Sequence, residues 1–294
     1  MRASTSDSVP FFGLWLPLIT PFRDDAVDHL ALTGLVTRYT KLGVSGFVVC
    51  GSTGEAAALD DDEQLAVLQT VLHACGDLPV VMGTSSYNLP KMLAWVKLLG
   101  AHPIAGLLVP APHYIRPSQA GLEAWFTTIA DTAKVPLIIY DIPYRTGVVI
   151  ELSTLMRLAA HPNIKAIKDC GGDAVKTRAL IADGQLSVLA GEDMQLFTTV
   201  AQGGAGAIAA SAHVHTAAFV DVIRHLKNGD LAQARRAWEP LPAVIEAMFA
   251  EPNPASIKAA LAARGLIQNE LRLPMMAAGT ALFQQESQQA SSNF

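Results

Sequence analysis

The chain has 294 residues, 51% of them apolar and 16% charged, which excludes a disordered polypeptide and supplies a large core. Its 21 basic and 26 acidic residues leave a formal charge of −5, which argues against a nucleic-acid binder. No apolar run reaches the roughly 20 residues that cross a bilayer, so no membrane partner is expected.

Met1–Pro10 is polar and unlike a secretory signal. From there short apolar runs alternate with helical patterns. The runs are Phe11–Leu16, Gly46–Cys50, Val80–Gly83, Ala105–Pro110, Val135–Tyr140, Ile164–Lys168, Leu186–Ala190 and Gly206–Ala210. Each is nearly continuous in apolar or small residues, the pattern of a strand covered on both faces. Between them, Ala31–Lys41, Glu63–Ala74 and Val214–Leu226 carry apolar residues at spacings of three and four, as helices do. Eight strand–helix units predict a closed (β/α)₈ TIM barrel over residues 11–230. An open doubly wound sheet would carry a Gly-rich dinucleotide turn after its first strand, and Leu14–Thr20 is not one. After Leu231 only helices are expected: Leu231–Ala250, Ala255–Ala263 and Pro274–Gln285. Residues 231–294 thus read as a C-terminal helical domain ending in a frayed polar tail from Glu286. Cys50, Cys75 and Cys170 have no His or Cys at metal-ligand spacing and read as reduced thiols of a cytoplasmic protein. His213 and His215 lack an acidic or thiol partner at ligand spacing, so no metal is expected.

In a parallel barrel the chemistry sits where the strands end. Lys168 closes one run, and alternation places Ile164, Ala166 and Lys168 on the same, inward face. Burial there would lower its pKa and make it a nucleophile towards a carbonyl carbon. The same position suits a structural ion pair with Asp169 or Glu192. Tyr140 closes the preceding run and suits either a proton relay or a strand-end aromatic. Arg145, in the turn Pro143–Gly147, offers a planar fork to a carboxylate, or is a solvated loop residue. Gly51–Glu55 follows the second strand. Its small residues and the Ser52 and Thr53 hydroxyls suit an anion such as a carboxylate, or an ordinary turn. Glu192 and Asp193 on the same face disfavour a phosphate-bearing substrate. Gln202–Gly206 precedes the last strand and belongs to the opposite face.

These motifs, in order and from about Phe11 to about Phe283, resemble the dihydrodipicolinate synthase/N-acetylneuraminate lyase family: Gly51–Glu55, Tyr140 with Pro143–Gly147, and Ile167–Asp169. The resemblance implies a class I pyruvate aldolase on a TIM barrel, with no cofactor or metal and with pyruvate held as an imine on Lys168. It implies that Tyr140 moves protons, that Thr53 joins it and Tyr114 in a relay, and that Ser52 and Thr53 bind the pyruvate carboxylate. By the same resemblance, Gly191 and Ile208 would line the pocket with main-chain groups. Tyr114, in His113–Pro117, would cross to complete the site of a neighbouring subunit in a homo-oligomer, usually a dimer of dimers. Arg145 marks the branch that condenses pyruvate with aspartate 4-semialdehyde. The alternatives are a family member using another aldehyde or a sugar acid, and a keto-acid-binding module without turnover. Ser52 stands where the family usually has threonine. Gln64, Tyr87, Lys91 and His113 occupy the places of the effector pocket in lysine-inhibited members, and the Lys91 cation there implies insensitivity to lysine.

Overall fold

The computed structural model describes residues 11–279. Eight parallel strands close a barrel: β1 (Gly13–Pro17), β2 (Gly46–Val49), β3 (Val80–Gly83), β4 (Gly106–Pro110), β5 (Leu137–Asp141), β6 (Ile164–Asp169), β7 (Ser187–Ala190) and β8 (Gly206–Ile208). Each strand pairs with its chain neighbours, and β1 closes the ring by pairing with both β2 and β8. Eight helices cover the outside: α1 (His29–Thr40), α2 (Asp61–Ala74), α3 (Leu89–Leu99), α4 (Gln119–Thr132), α5 (Leu152–Ala159), α6 (Ala174–Asp183), α7 (Leu196–Ala201) and α8 (Thr216–Lys227). Among the described residues no helix is long and apolar enough to cross a membrane.

Two apolar layers hold the barrel. The outer one joins alternate strand residues, such as Phe47, Val49 and Ile139, to helix faces such as Leu32, Leu35, Val36 and Tyr39 of α1. The inner one contains Trp15, Val48, Val81, Leu108, Ile138, Tyr140, Ala166, Leu189 and Ile208. Lys168 lies two residues beyond Ala166 and shares its inward face, as the alternation predicts. Ile164 does not. It packs in the outer layer, because the β5–β6 register shifts between Leu137 and Ile138. One extra residue on β6 reverses the alternation below that point.

The helix starts follow local chemistry. Asp60 caps α2 by accepting from Glu63 N at 2.8 Å, and Glu63 returns the bond to Asp60 N at 3.2 Å. Beyond the barrel come α9 (Leu231–Trp238), α10 (Leu241–Met248) and α11 (Ala255–Ala263). The predicted continuous helix Leu231–Ala250 is therefore two, divided at Glu239–Pro240, because proline has no N–H to continue the ladder. Pro274–Gln285 does not form the expected helix over its described part. Residues 274–279 are turn and irregular backbone, and the remainder, with the tail from Glu286, lies outside the described residues.

His213 follows β8 and is buried. Its Nδ1 donates to Ala210 O at 2.7 Å and its Nε2 accepts from Ile19 N at 3.3 Å, so the neutral ring ties the β8 end to the β1 end. Burial lowers its pKa from 6.5 to about 4. Between these values the unfolded chain takes up a proton that the folded chain refuses, so acidification costs stability. The loss is about 3 kcal/mol. Thermal unfolding followed from pH 7 down to pH 4 is expected to show a steeper fall for the native chain than for His213→Gln. Identical slopes would contradict this.

Candidate active site

The carboxyl ends of the strands open into a cavity of about 380 Å³, lined by Ser52, Thr53, Tyr140, Tyr144, Arg145, Lys168, Gly191, Glu192, Asp193, Ile208 and residues of the α10–α11 segment. Tyr140 and Lys168 are register partners on β5 and β6. That pairing brings Lys168 Nζ to 3.4 Å from the Tyr140 hydroxyl and 4.4 Å from the centre of its ring. Both side chains are buried. Space for the lysine stem comes from Gly191, where a Cβ would stand 2.8 Å from Lys168 Cγ and 2.4 Å from Cys170 Sγ. Gly191 is held there by its N–H, which donates to Asp169 O at 2.9 Å.

The next residues of the two strands lock the pair. Asp141 accepts from Lys176 Nζ at 2.5 Å, and Asp169 accepts from the Thr177 hydroxyl at 2.5 Å and from Gly171 N at 2.9 Å. Both donor side chains stand on α6, so one helix fixes both strand ends. Burial raises the Tyr140 pKa well above 10, Cys170 adds to the rise, and hydrogen bonding from Ser52 opposes it. The phenol thus keeps its proton at neutral pH and is a donor.

The Ser52 and Thr53 loop is braced from three sides. Thr20 Oγ1 donates to Gly54 O at 2.7 Å. Asn253 Nδ2 donates to Thr53 Oγ1 at 2.9 Å. Glu55 makes a buried ion pair with Lys258 of α11. Within the loop, Gly54 N donates to Gly51 O and Glu55 N to Ser52 O, while the Ser52 and Thr53 amides have no acceptor among the described residues. Two adjacent amides without acceptors suit an anion. The Ser52 hydroxyl lowers the Tyr140 pKa against the effect of burial. Thr53 Oγ1, expected in a relay with Tyr140, accepts from Asn253 Nδ2, which leaves its own proton for a further acceptor.

Arg145 stands on a single helical turn, Pro143–Thr146, ended by Gly147 at φ +76°. That left-handed conformation suits glycine. The Arg145 guanidinium lies 5.8 Å from the centre of the Tyr144 ring and forms no ion pair among the described residues. Asp193 is spent on structure: it accepts from Ala210 N, Ser211 N and the Ser211 hydroxyl. Tyr114 is outside the cavity of its own chain and 87% exposed, at φ +75°. Beside Tyr140, Ser52 and Arg145 lies a second, largely apolar cavity of about 270 Å³, bounded also by Leu108, Pro110 and Ile142.

A model of the dihydrodipicolinate synthetase family matches residues 10–292. The chain belongs to this family. It is 38% identical over 269 residues to 4-hydroxy-tetrahydrodipicolinate synthase 2 of Clostridium acetobutylicum, covering 90% of this chain and 94% of the relative. It is 38% identical over 283 residues to the 4-hydroxy-tetrahydrodipicolinate synthase of Sorangium cellulosum, covering 94% of each. The chloride-inhibited dihydrodipicolinate synthase of Acinetobacter baumannii, solved with pyruvate, superposes with a TM-score of 0.90 at 29% identity, covering 96% of this chain and 98% of that one.

Sequence reasoning did not find Asn253 or the rest of the α10–α11 wall. Asn253 meets Thr53 across 200 positions, a separation that no periodicity reports. The Asn253–Pro254 dipeptide is a turn signal and the one local hint that the chain leaves its helices there.

Proposed function

We propose that this chain condenses pyruvate with L-aspartate 4-semialdehyde, as a 4-hydroxy-tetrahydrodipicolinate synthase working through an imine on Lys168. The observation that carries the reading is the buried Lys168–Tyr140 contact at the strand ends. Lys168 Nζ attacks the ketone carbon of pyruvate and water leaves. The imine draws electrons from the methyl carbon, which loses a proton to give an enamine. The enamine attacks the aldehyde carbon, which restores the imine, and the new alkoxide takes a proton. The substrate amine, having lost its proton, then adds to the imine carbon and expels the Lys168 amine, closing the ring and freeing the enzyme. Tyr140 handles these protons in a relay with Thr53 and Tyr114, and the Ser52 hydroxyl favours its ionised form. The Ser52 and Thr53 amides seat the pyruvate carboxylate, while Gly191 and Ile208 close the pocket around it. Arg145 receives the carboxylate of the aldehyde. Fixing both carboxylates supplies the orientation that carbon–carbon bonding needs.

The exposed Tyr114 and the unfilled cavity beside Tyr140 support exchange of Tyr114 between copies, within a dimer or a dimer of dimers. Residues 11–230 form the catalytic barrel in this reading, and the helical appendage from 231 supplies the outer wall. Three buried free thiols support a cytoplasmic setting.

Arg145→Ala is expected to raise KM for aspartate semialdehyde roughly tenfold to hundredfold, with KM for pyruvate nearly unchanged. Steady-state rates with each substrate varied in turn check this, and equal effects on both would remove the role of Arg145. Lysine is expected not to inhibit. Gln64, Lys91 and His113 line a cavity of about 800 Å³, with Tyr87 edge-on to His113. Gln64 Nε2 is engaged by Ala56 O and Leu59 O. Lys91 sets a cation against the ammonium of the effector. Asp61 and Asp62 on the same rim serve the amino end of α2. Inhibition below millimolar lysine would contradict this.

A further inference from the structure

Two acceptor oxygens of the Lys168 cavity are buried and have no donor among the described residues: Glu192 Oε1 and Asn253 Oδ1. They come from separate elements, the loop after β7 and the α10–α11 segment. An unpaired buried acceptor is costly, and more so when charged. The surroundings do not relieve it. Asn253 uses Nδ2 on Thr53. Glu192 Oε1 receives no hydrogen bond from any side chain or main-chain amide among the described residues. Glu192 has no ion pair with lysine, arginine or histidine among the described residues. Pyruvate brings only acceptors, so it cannot supply the missing donor.

The second substrate can bring the donor that pyruvate lacks. In the same cavity Arg145 waits for a carboxylate. A cation without a carboxylate partner and two buried acceptor oxygens without donors together fit an amino-acid zwitterion. We infer that Glu192 and Asn253 form the subsite for the primary ammonium group of the second substrate, with Glu192 setting the preference for amine-bearing aldehydes. An ammonium has three donors and can serve two acceptors on different elements, whereas a hydroxyl has one. The inference rests on the synthase reading and names the group that selects the aldehyde.

The test compares kcat/KM for L-aspartate 4-semialdehyde and for succinic semialdehyde, which has the same length and no amine. Both are measured on the full chain, on Glu192→Gln and on Glu192→Asp. Glu192→Gln keeps the size and removes the charge. It is expected to lower kcat/KM for the amine-bearing aldehyde roughly tenfold to hundredfold, through KM, and so to collapse the preference between the two. Glu192→Asp keeps the charge and is expected to retain part of the preference. Borohydride trapping of pyruvate reports that each variant is folded. An equal loss on both aldehydes in Glu192→Gln overturns the subsite. If the unaltered enzyme uses neither aldehyde while pyruvate still traps on Lys168, the synthase reading falls and the subsite with it.

Discussion

Replacing Lys168 by arginine is expected to lower turnover by about 10³-fold or more and to abolish trapping of pyruvate by borohydride. The substitution isolates nucleophilicity. Arginine is of similar length and places a guanidinium where the Lys168 nitrogen now lies, 4.4 Å from the Tyr140 ring centre, in the channel opened by Gly191. Its guanidinium stays protonated at any working pH and has no lone pair for a ketone. A fold collapse would be a different outcome, visible as a lost thermal transition. Retention of more than a tenth of the native rate would remove Lys168 from the chemistry.

Tyr140→Phe is the second large effect. Loss of the phenol is expected to cost roughly 10²- to 10⁴-fold in kcat, the range of a positioned proton donor. The ring remains packed with Ile138, Ile142 and Ala166 in the inner layer, so stability should change little. Imine formation should slow without ceasing, because Lys168 is still present. The phenol pKa is held well above 10 by burial, so Tyr140 remains the acid form throughout the neutral and mildly alkaline range. Its ionisation therefore does not set an alkaline limb near pH 8 or 9 in the native enzyme. Ser52→Ala removes the neighbour that opposes this rise and should slow proton transfer, whereas Thr53→Ser, which keeps the hydroxyl facing Asn253, should not. Native-like kcat in Tyr140→Phe would contradict the relay.

Much of this arrangement was legible before any coordinates. Parallel strands covered on both faces must be continuously apolar, so the eight runs stand out, and the ends of those runs locate the chemistry. Lys168 and Tyr140 are visible as polar residues closing apolar strands. Other features need the third dimension. The register shift that sends Ile164 outward depends on how β6 meets β5, which neither strand encodes alone. The way Ser52 and Thr53 are held depends on one loop braced by Asn253, Thr20 and Lys258. Pro240 marks the break between α9 and α10 in plain sight, but the apolar periodicity on either side masks it. Asn253 and Glu192 acquire their meaning from facing one cavity.

The central claim is a pyruvate imine on Lys168. Incubation with pyruvate, reduction with borohydride and peptide mass mapping test it most directly. The account predicts one reduced pyruvate per chain, on the peptide containing Lys168, and none in Lys168→Arg. An unmodified chain, or an adduct on another lysine, would contradict it.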